Sequence, residues 1–298
     1  MGRNMKRLII IVASLVVLAA AALMYEAMKD RASGPPEATA NVGGQGAAPA
    51  DVAGAGASGG DDSAKPTESD AAKAPAMLER FKSLYEQNND FVGWIRVPNT
   101  AINYPVVYCS DNKYYLNHDF LKRPTTAGTP FLDMRADLLV HNQSLSTYGH
   151  YMGNGKMYND LHKYKSLDYY KANPVFVFDS LYEEGVYKIF AVLYMAGNAS
   201  DKLFYNYMTA SFDSDAAFME HVNQLRERSI FNTGVDVAPG DQLVLMTVCT
   251  YETDNLRLVV AGRKVRPDES YEVDTANAIL NPDPLYPQKW YDAKGGKP

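Results

Sequence analysis

Cysteine is scarce in this chain: Cys109 and Cys249 are the two in 298 residues. Two thiols cannot build a disulfide framework, although they leave room for one bond. Histidine is also rare. The five are His118, His141, His150, His162 and His221, and no pair of them stands at metal-ligand spacing with cysteine or carboxylates. Neither a metal nor a cofactor is therefore expected. No basic cluster stands out beyond the N-terminus and the formal net charge is −6, which argues against nucleic-acid binding. Long apolar runs are missing too, with one exception.

That exception is Leu8–Met24, interrupted only by Ser14 and preceded by Arg3, Lys6 and Arg7. At about 1.5 Å per residue it spans roughly 26 Å, close to the hydrocarbon thickness of a bilayer. Positive charge before the run and none within it places the N-terminus inside. The expectation is a cytoplasmic segment 1–7, a single-pass anchor over 8–28 and a protein located at the cell membrane. A cleaved signal peptide is the alternative, since Ala20-Ala21-Ala22 suits a signal peptidase. Residues 29–75, rich in Ala, Gly, Pro, Ser and Asp, cannot bury enough apolar surface to fold and read as a flexible linker.

From Ala76 to Asn89, Leu78, Phe81, Leu84 and Tyr85 recur at helical spacing, which predicts a short amphipathic helix. Strands are expected over 91–97 and 101–108, around a Pro98-Asn99-Thr100 turn, and near Thr129–Leu132. Further strands are expected over Leu138–Val140, Ser144–Tyr148, Val175–Phe178 and Val186–Met195. The stretch Ser214–Arg228 carries Phe218, Val222 and Leu225 on one face behind Asp213 and Ser214 as caps, and predicts a helix. No element is evident beyond Arg266. Seven or eight short strands with a helix before the last pair make a mostly-β barrel or sandwich.

The last pair is the most informative. Gln242–Thr250 and Leu256–Val260 read as a hairpin. If residues 251–255 form its loop, Thr250 pairs with Leu256 and Cys249 lies opposite Arg257 on one face, with Cβ atoms roughly 5 Å apart. A one-residue slip would separate them. A cation beside a thiol favours the thiolate and can stabilise an oxyanion on an acyl group attached to sulfur. Such a nucleophile needs a proton partner. His150 follows a strand and is hemmed by Gly149, Gly153 and Gly155, which permit close backbone approach. His162 and His221 read as surface residues, and His118 and His141 as loop residues. Cys109 closes an apolar strand with no such surroundings and reads as a packed thiol. Glu252 and Asp254 could tune the site but are ordinary for a solvated turn.

Tyr148-Gly149-His150, Met157-Tyr158-Asn159-Asp160-Leu161 and Cys249 with Arg257 resemble the sortases, class B in particular. So do Val92-Gly93-Trp94-Ile95, Tyr104-Pro105-Val106-Val107, Tyr114–Phe120 and Gly128–Asp133. The likeness runs from about 78 to 266. It implies a closed eight-stranded barrel, with an N-terminal helix and a long helix before the last two strands, as a catalytic domain over 76–266. The extension 267–298 has no counterpart and no assigned role. The resemblance also implies transpeptidation outside the membrane, facing the wall of a Gram-positive cell. Cys249 would attack the sorting signal of a secreted protein, His150 would exchange protons, and Arg257 would hold the oxyanion. A cell-wall peptide amine would then take the acyl group. Asn112, Leu116 and Thr247 match positions lining the signal-peptide groove. Val248 stands where the family usually has threonine, and Thr247 where class B members often have serine. Pilin polymerisation, an L,D-transpeptidase and a membrane-tethered binding domain remain alternatives.

Overall fold

The fold is built on strands whose alternate residues serve two different apolar layers. The computed structural model describes residues 75–137, 142–250 and 252–296. Its strands are β1 (Phe91–Arg96), β2 (Asn103–Tyr108), β3 (Phe131–Leu132), β4 (Ser144–Gly149), β5 (Val175–Ser180), β6 (Val186–Ala196), β7 (Phe231–Asn232), β8 (Leu243–Thr250), β9 (Leu256–Lys264) and β10 (Ile279–Leu280). Eight of them close a barrel in the order β1-β2-β3-β4-β8-β9-β6-β5, while β7 and β10 form a separate two-stranded sheet. Pairing is parallel between β2 and β3 and between β4 and β8, and antiparallel elsewhere in the barrel. Closure removes the exposed edges that an open sheet of this kind would carry.

Period-two alternation assigns each side chain to a layer. Val244, Met246, Val248, Leu256, Leu258 and Val260 point into the barrel, where they meet Tyr158, Tyr164 and Tyr194. Leu243, Leu245, Val259 and Ala261 point outward under Phe218, Val222 and Leu225. In β6 a bulge between Ile189 and Ala191 shifts the phase, so the residues facing the barrel interior are odd-numbered before it (Tyr187, Ile189) and even-numbered after it (Val192, Tyr194).

Four helices complete the fold among the described residues: α1 (Glu79–Gln87), α2 (Leu167–Ala172), α3 (Asp215–Arg228) and α4 (Gln288–Lys294). The first packs Phe81 edge-on against Phe91, 5.1 Å between ring centroids. The third begins where the Ser214 hydroxyl accepts from the Ala217 amide. Its buried face includes His221, 1% exposed, so this residue is no surface histidine. Positions 218, 221, 222 and 225 recur at i, i+3, i+4 and i+7 and share one face. The His221 ring is hydrogen-bonded through Nδ1 to the Tyr205 hydroxyl at 2.8 Å, and burial depresses its pKa to about 4.

The segment beyond Arg266, where no element was evident, is folded. Strand β10 pairs with β7, and α4 lays Trp290 on Tyr194 with ring centroids 4.4 Å apart. The amides of Gln288 and Lys289 donate to the Asp201 carboxylate at 2.9 and 3.0 Å. At its root, Arg263 is fully buried among Asp236, Asp241 and Glu269, and Arg266 bridges Asp236 and Asp241.

The expected location at the cell membrane, through a single span with the folded part outside, is corrected. No helix among the described residues is long and apolar enough to cross a membrane, so they contain no single-pass anchor. Segments 1–7 and 8–28, and the linker up to residue 74, lie outside the described residues, as do the expected strand Leu138–Val140 and His141.

Candidate active site

The register inferred from the hairpin is the one observed. Thr250 pairs with Leu256 and Cys249 with Arg257. Being odd-numbered on β8 and β9, Cys249 and Arg257 share the outward face with Leu245, Thr247 and Val259. Both are half-buried. Strand β4 runs parallel beside β8, with Tyr148 opposite Thr247 and Gly149 opposite Val248. His150 therefore leaves the end of β4 at the level of Cys249, so the sheet brings thiol, imidazole and guanidinium to one end of the barrel wall.

The imidazole and the guanidinium are each held by a backbone contact. The Nε2 of His150 donates to the carbonyl of Leu116 at 2.7 Å, which orients the ring from the loop Ser110–Arg123. Leu116 itself is 39% exposed. Gly149, just before His150, sits where an added Cβ would lie 2.5 Å from Cγ of the buried Tyr158 ring. The Arg257 guanidinium donates to the Leu256 carbonyl at 3.1 Å. Across it stands Gly197, where an added Cβ would be 3.2 Å from Cζ of Arg257.

The other expected groove residues are more deeply committed. Thr247 is 1% exposed. Tyr207, 2% exposed, interacts with Thr247, Arg257 and Cys249, and burial pushes its phenol up to about 12. Asn112, in the left-handed region at φ 51°, donates to Asp133 Oδ2 at 3.0 Å and accepts from the Met134 amide at 2.7 Å. The same Asp133 oxygen accepts from the Tyr148 hydroxyl at 2.6 Å. Asn112 is thus linked to Thr247 through Asp133 and Tyr148. Val248 points into the barrel core, so the residue departing from the family pattern contacts the interior and not the outward face.

The structure adds residues that sequence reasoning passed over. His162 is half-buried, not a surface residue, and its Nε2 donates to the Cys249 carbonyl at 3.0 Å. Glu252 is likewise drawn in: it pairs with Lys165 and accepts from Tyr194 at 3.4 Å, whereas Asp254 is exposed. Burial raises the Glu252 pKa, but the Lys165 ammonium outweighs it and holds the carboxyl below the usual range. Tyr207 lies in the loop between β6 and α3, where no periodicity marks one aromatic above another. For His162 the flanking Leu161 and Tyr164, both buried, were the available signal.

The remaining thiol and histidine are engaged elsewhere. Cys109 is free, as is Cys249. Its Sγ contacts Asp111 Oδ1 at 3.1 Å, and burial together with that carboxylate raises its pKa. His118 stacks on Tyr114 with ring centroids 3.9 Å apart. Among the described residues no group of three His, Cys, Asp or Glu could hold a metal ion.

No protein-family model matches the chain. It is 29% identical to sortase B of Staphylococcus aureus over 189 residues, 63% of this chain and 75% of that protein. The fold is similar to a Bacillus anthracis protein described as similar to sortase B, with TM-score 0.58 and 30% identity, covering 65% of this chain and 86% of that one. It is also similar to the S. aureus sortase B–substrate complex, with TM-score 0.58 and 27% identity over 64% of this chain and 87% of that one. The eight-stranded fold, the Cys249–Arg257 pairing and these likenesses agree, and the chain belongs to the class B sortases, which are cysteine transpeptidases.

Proposed function

We propose that this transpeptidase anchors surface proteins by cleaving their sorting signals at Cys249 and passing the new carboxyl to an amine of a cell-wall peptide. The observation that carries the assignment of roles is the placement of Cys249 opposite Arg257, with His150 leaving the adjacent strand at the same level. In the first half-reaction the Cys249 thiol passes its proton to His150, and its sulfur bonds to the scissile carbonyl carbon as the carbonyl electron pair moves onto oxygen. Arg257 faces that developing charge. Collapse breaks the C–N bond, and the departing amine takes a proton from His150. The thioester is then attacked by the incoming amine, which yields its proton to His150 as the C–S bond breaks. One amide replaces another, so no oxidant or cofactor is required.

The fixed orientation of His150 supports this role. Its Nε2–H is committed to the Leu116 carbonyl, which leaves Nδ1 to exchange the proton. Leu116, Asn112 and Thr247 contribute to the signal-peptide groove in this reading, Leu116 through its exposed side chain and the other two through the walls they brace.

The test is a screen of sorting-type peptides with the full-length chain, scored by the mass of the acyl-enzyme. Wild type is expected to form a peptide adduct on Cys249, and Cys249→Ala none. Adding a short peptide amine is expected to convert the product from an acid to an amide. Equal cleavage by Cys249→Ala would refute the role of the thiol, and an acid product unchanged by the amine would refute the acceptor.

A further inference from the structure

We propose that His162 is a positioning residue for the nucleophile, locking the Cys249 peptide in place and coupling it to the segment that carries His150. The proposal rests on the reading above in which Cys249 and His150 perform the chemistry.

The β4–β8 ladder ends at Gly149 opposite Val248, one residue short of Cys249. Backbone groups at such a point need a partner from outside the sheet. The Cys249 carbonyl finds it in an imidazole, His162 Nε2 at 3.0 Å. This ring comes from the 3₁₀ turn Asn159–Lys165, whose neighbouring residues Leu161 and Tyr164 are both fully buried. Its position is therefore set by the barrel core.

The same ring touches the other half of the site. It lies 4.6 Å from the Tyr151 ring, and Tyr151 directly follows His150. The His150 carbonyl in turn accepts from the Tyr158 amide at 3.0 Å, at the head of the turn that bears His162. One short segment thus grips the backbone on both sides of the proposed thiol–imidazole pair.

The charged groups facing His162 are Lys165 and Glu252, which pair with each other. Burial, then Lys165, lowers the His162 pKa, partly offset by the Cys249 carbonyl and Glu252. A neutral ring carries a single N–H, and here that proton lies on Nε2 toward the carbonyl. His162 accordingly acts as an uncharged donor that fixes geometry without adding a cation beside the thiol. Geometry matters at this point because attack needs near-contact alignment, and a displacement of about 1 Å can cost roughly 100-fold in rate.

The experiment uses the full chain with Cys109→Ser, so that Cys249 is the one thiol. His162→Gln keeps an N–H donor, His162→Phe keeps the ring without the donor, and His162→Ala removes both. For a peptide that wild type cleaves, His162→Ala and His162→Phe are expected to lower kcat about 10- to 100-fold while KM stays within about threefold. His162→Gln is expected to recover most of the loss. Wild-type kcat in folded His162→Phe, or His162→Gln no better than His162→Ala, overturns the proposal. If wild type cleaves no peptide, the functional reading has failed, and iodoacetamide alkylation of Cys249 across pH still decides the positioning role. A changed rate profile in His162→Phe supports it and an identical profile overturns it.

Discussion

Cys249 and Arg257 stand directly opposite each other in the last hairpin of the barrel, one residue pair from its turn. The sheet, not a flexible loop, therefore sets the distance between thiol and guanidinium. Arg257→Ala is expected to reduce kcat by about 100- to 1000-fold, the scale of losing one oxyanion donor. Arg257→Lys keeps the charge but not the planar fork, and is expected to recover only part of this. Steady-state cleavage of a sorting-type peptide checks both, and a fully active lysine variant would show that charge alone suffices.

Gly149 is packed face-on by Tyr158, and an added Cβ would come within 2.5 Å of that ring. Tyr158 is fully buried and its hydroxyl donates to Thr147 at 3.0 Å, so it has nowhere to retreat. Gly149→Ala is expected to destabilise the fold by about 1–3 kcal/mol through overpacking. It should also lower turnover, because His150 is the next residue. Urea unfolding and activity assays report the two effects separately.

The buried His221 makes stability depend on acid. Its pKa is about 4 in the folded chain and about 6.5 in an unfolded one. Between these values the unfolded chain binds the extra proton, so stability falls as pH drops from about 6.5 toward 4. The loss amounts to roughly 3 kcal/mol at the acid end. His162, also lowered, adds in the same direction. Carboxylates held below their usual range, such as Asp236 and Glu252, lose their stabilisation only as pH falls into and below the ordinary carboxylate range. Urea midpoints measured between pH 7 and 4 should fall for wild type and flatten in His221→Leu. An equally steep fall in that variant would place the dependence elsewhere.

The C-terminal helix is part of the fold's stability. Trp290 stacks on Tyr194 and meets the Tyr286 ring at a tilt, and Asp201 receives the first amides of α4. Trp290→Ala is expected to cost roughly 2 kcal/mol and Asp201→Asn about 1 kcal/mol, from weaker capping and dipole interaction. Thermal unfolding checks both. A chain ending at residue 283 that melts at the wild-type temperature would contradict the packing.

The sequence by itself determined the eight strands of the barrel and the register of the last hairpin, but neither β7 nor β10. Alternating apolar residues select one pairing of β8 with β9, since a slip would expose Val248 and Leu258 and bury Arg257 in the barrel. It also carried the family likeness, because His150, Cys249 and Arg257 sit in local motifs of their own. Tertiary structure alone decided the supports around them. His162 meets Cys249 only because β4 ends one residue early and a 3₁₀ turn crosses that gap. Tyr207 covers Thr247 only because the loop after β6 folds back over the outer wall. The segment beyond Arg266 has no period of its own, since its order comes from Asp201, Tyr194 and β7 on elements distant in the chain. Local patterns record which face of an element is apolar; they do not record which distant group will complete a backbone bond or cover a ring.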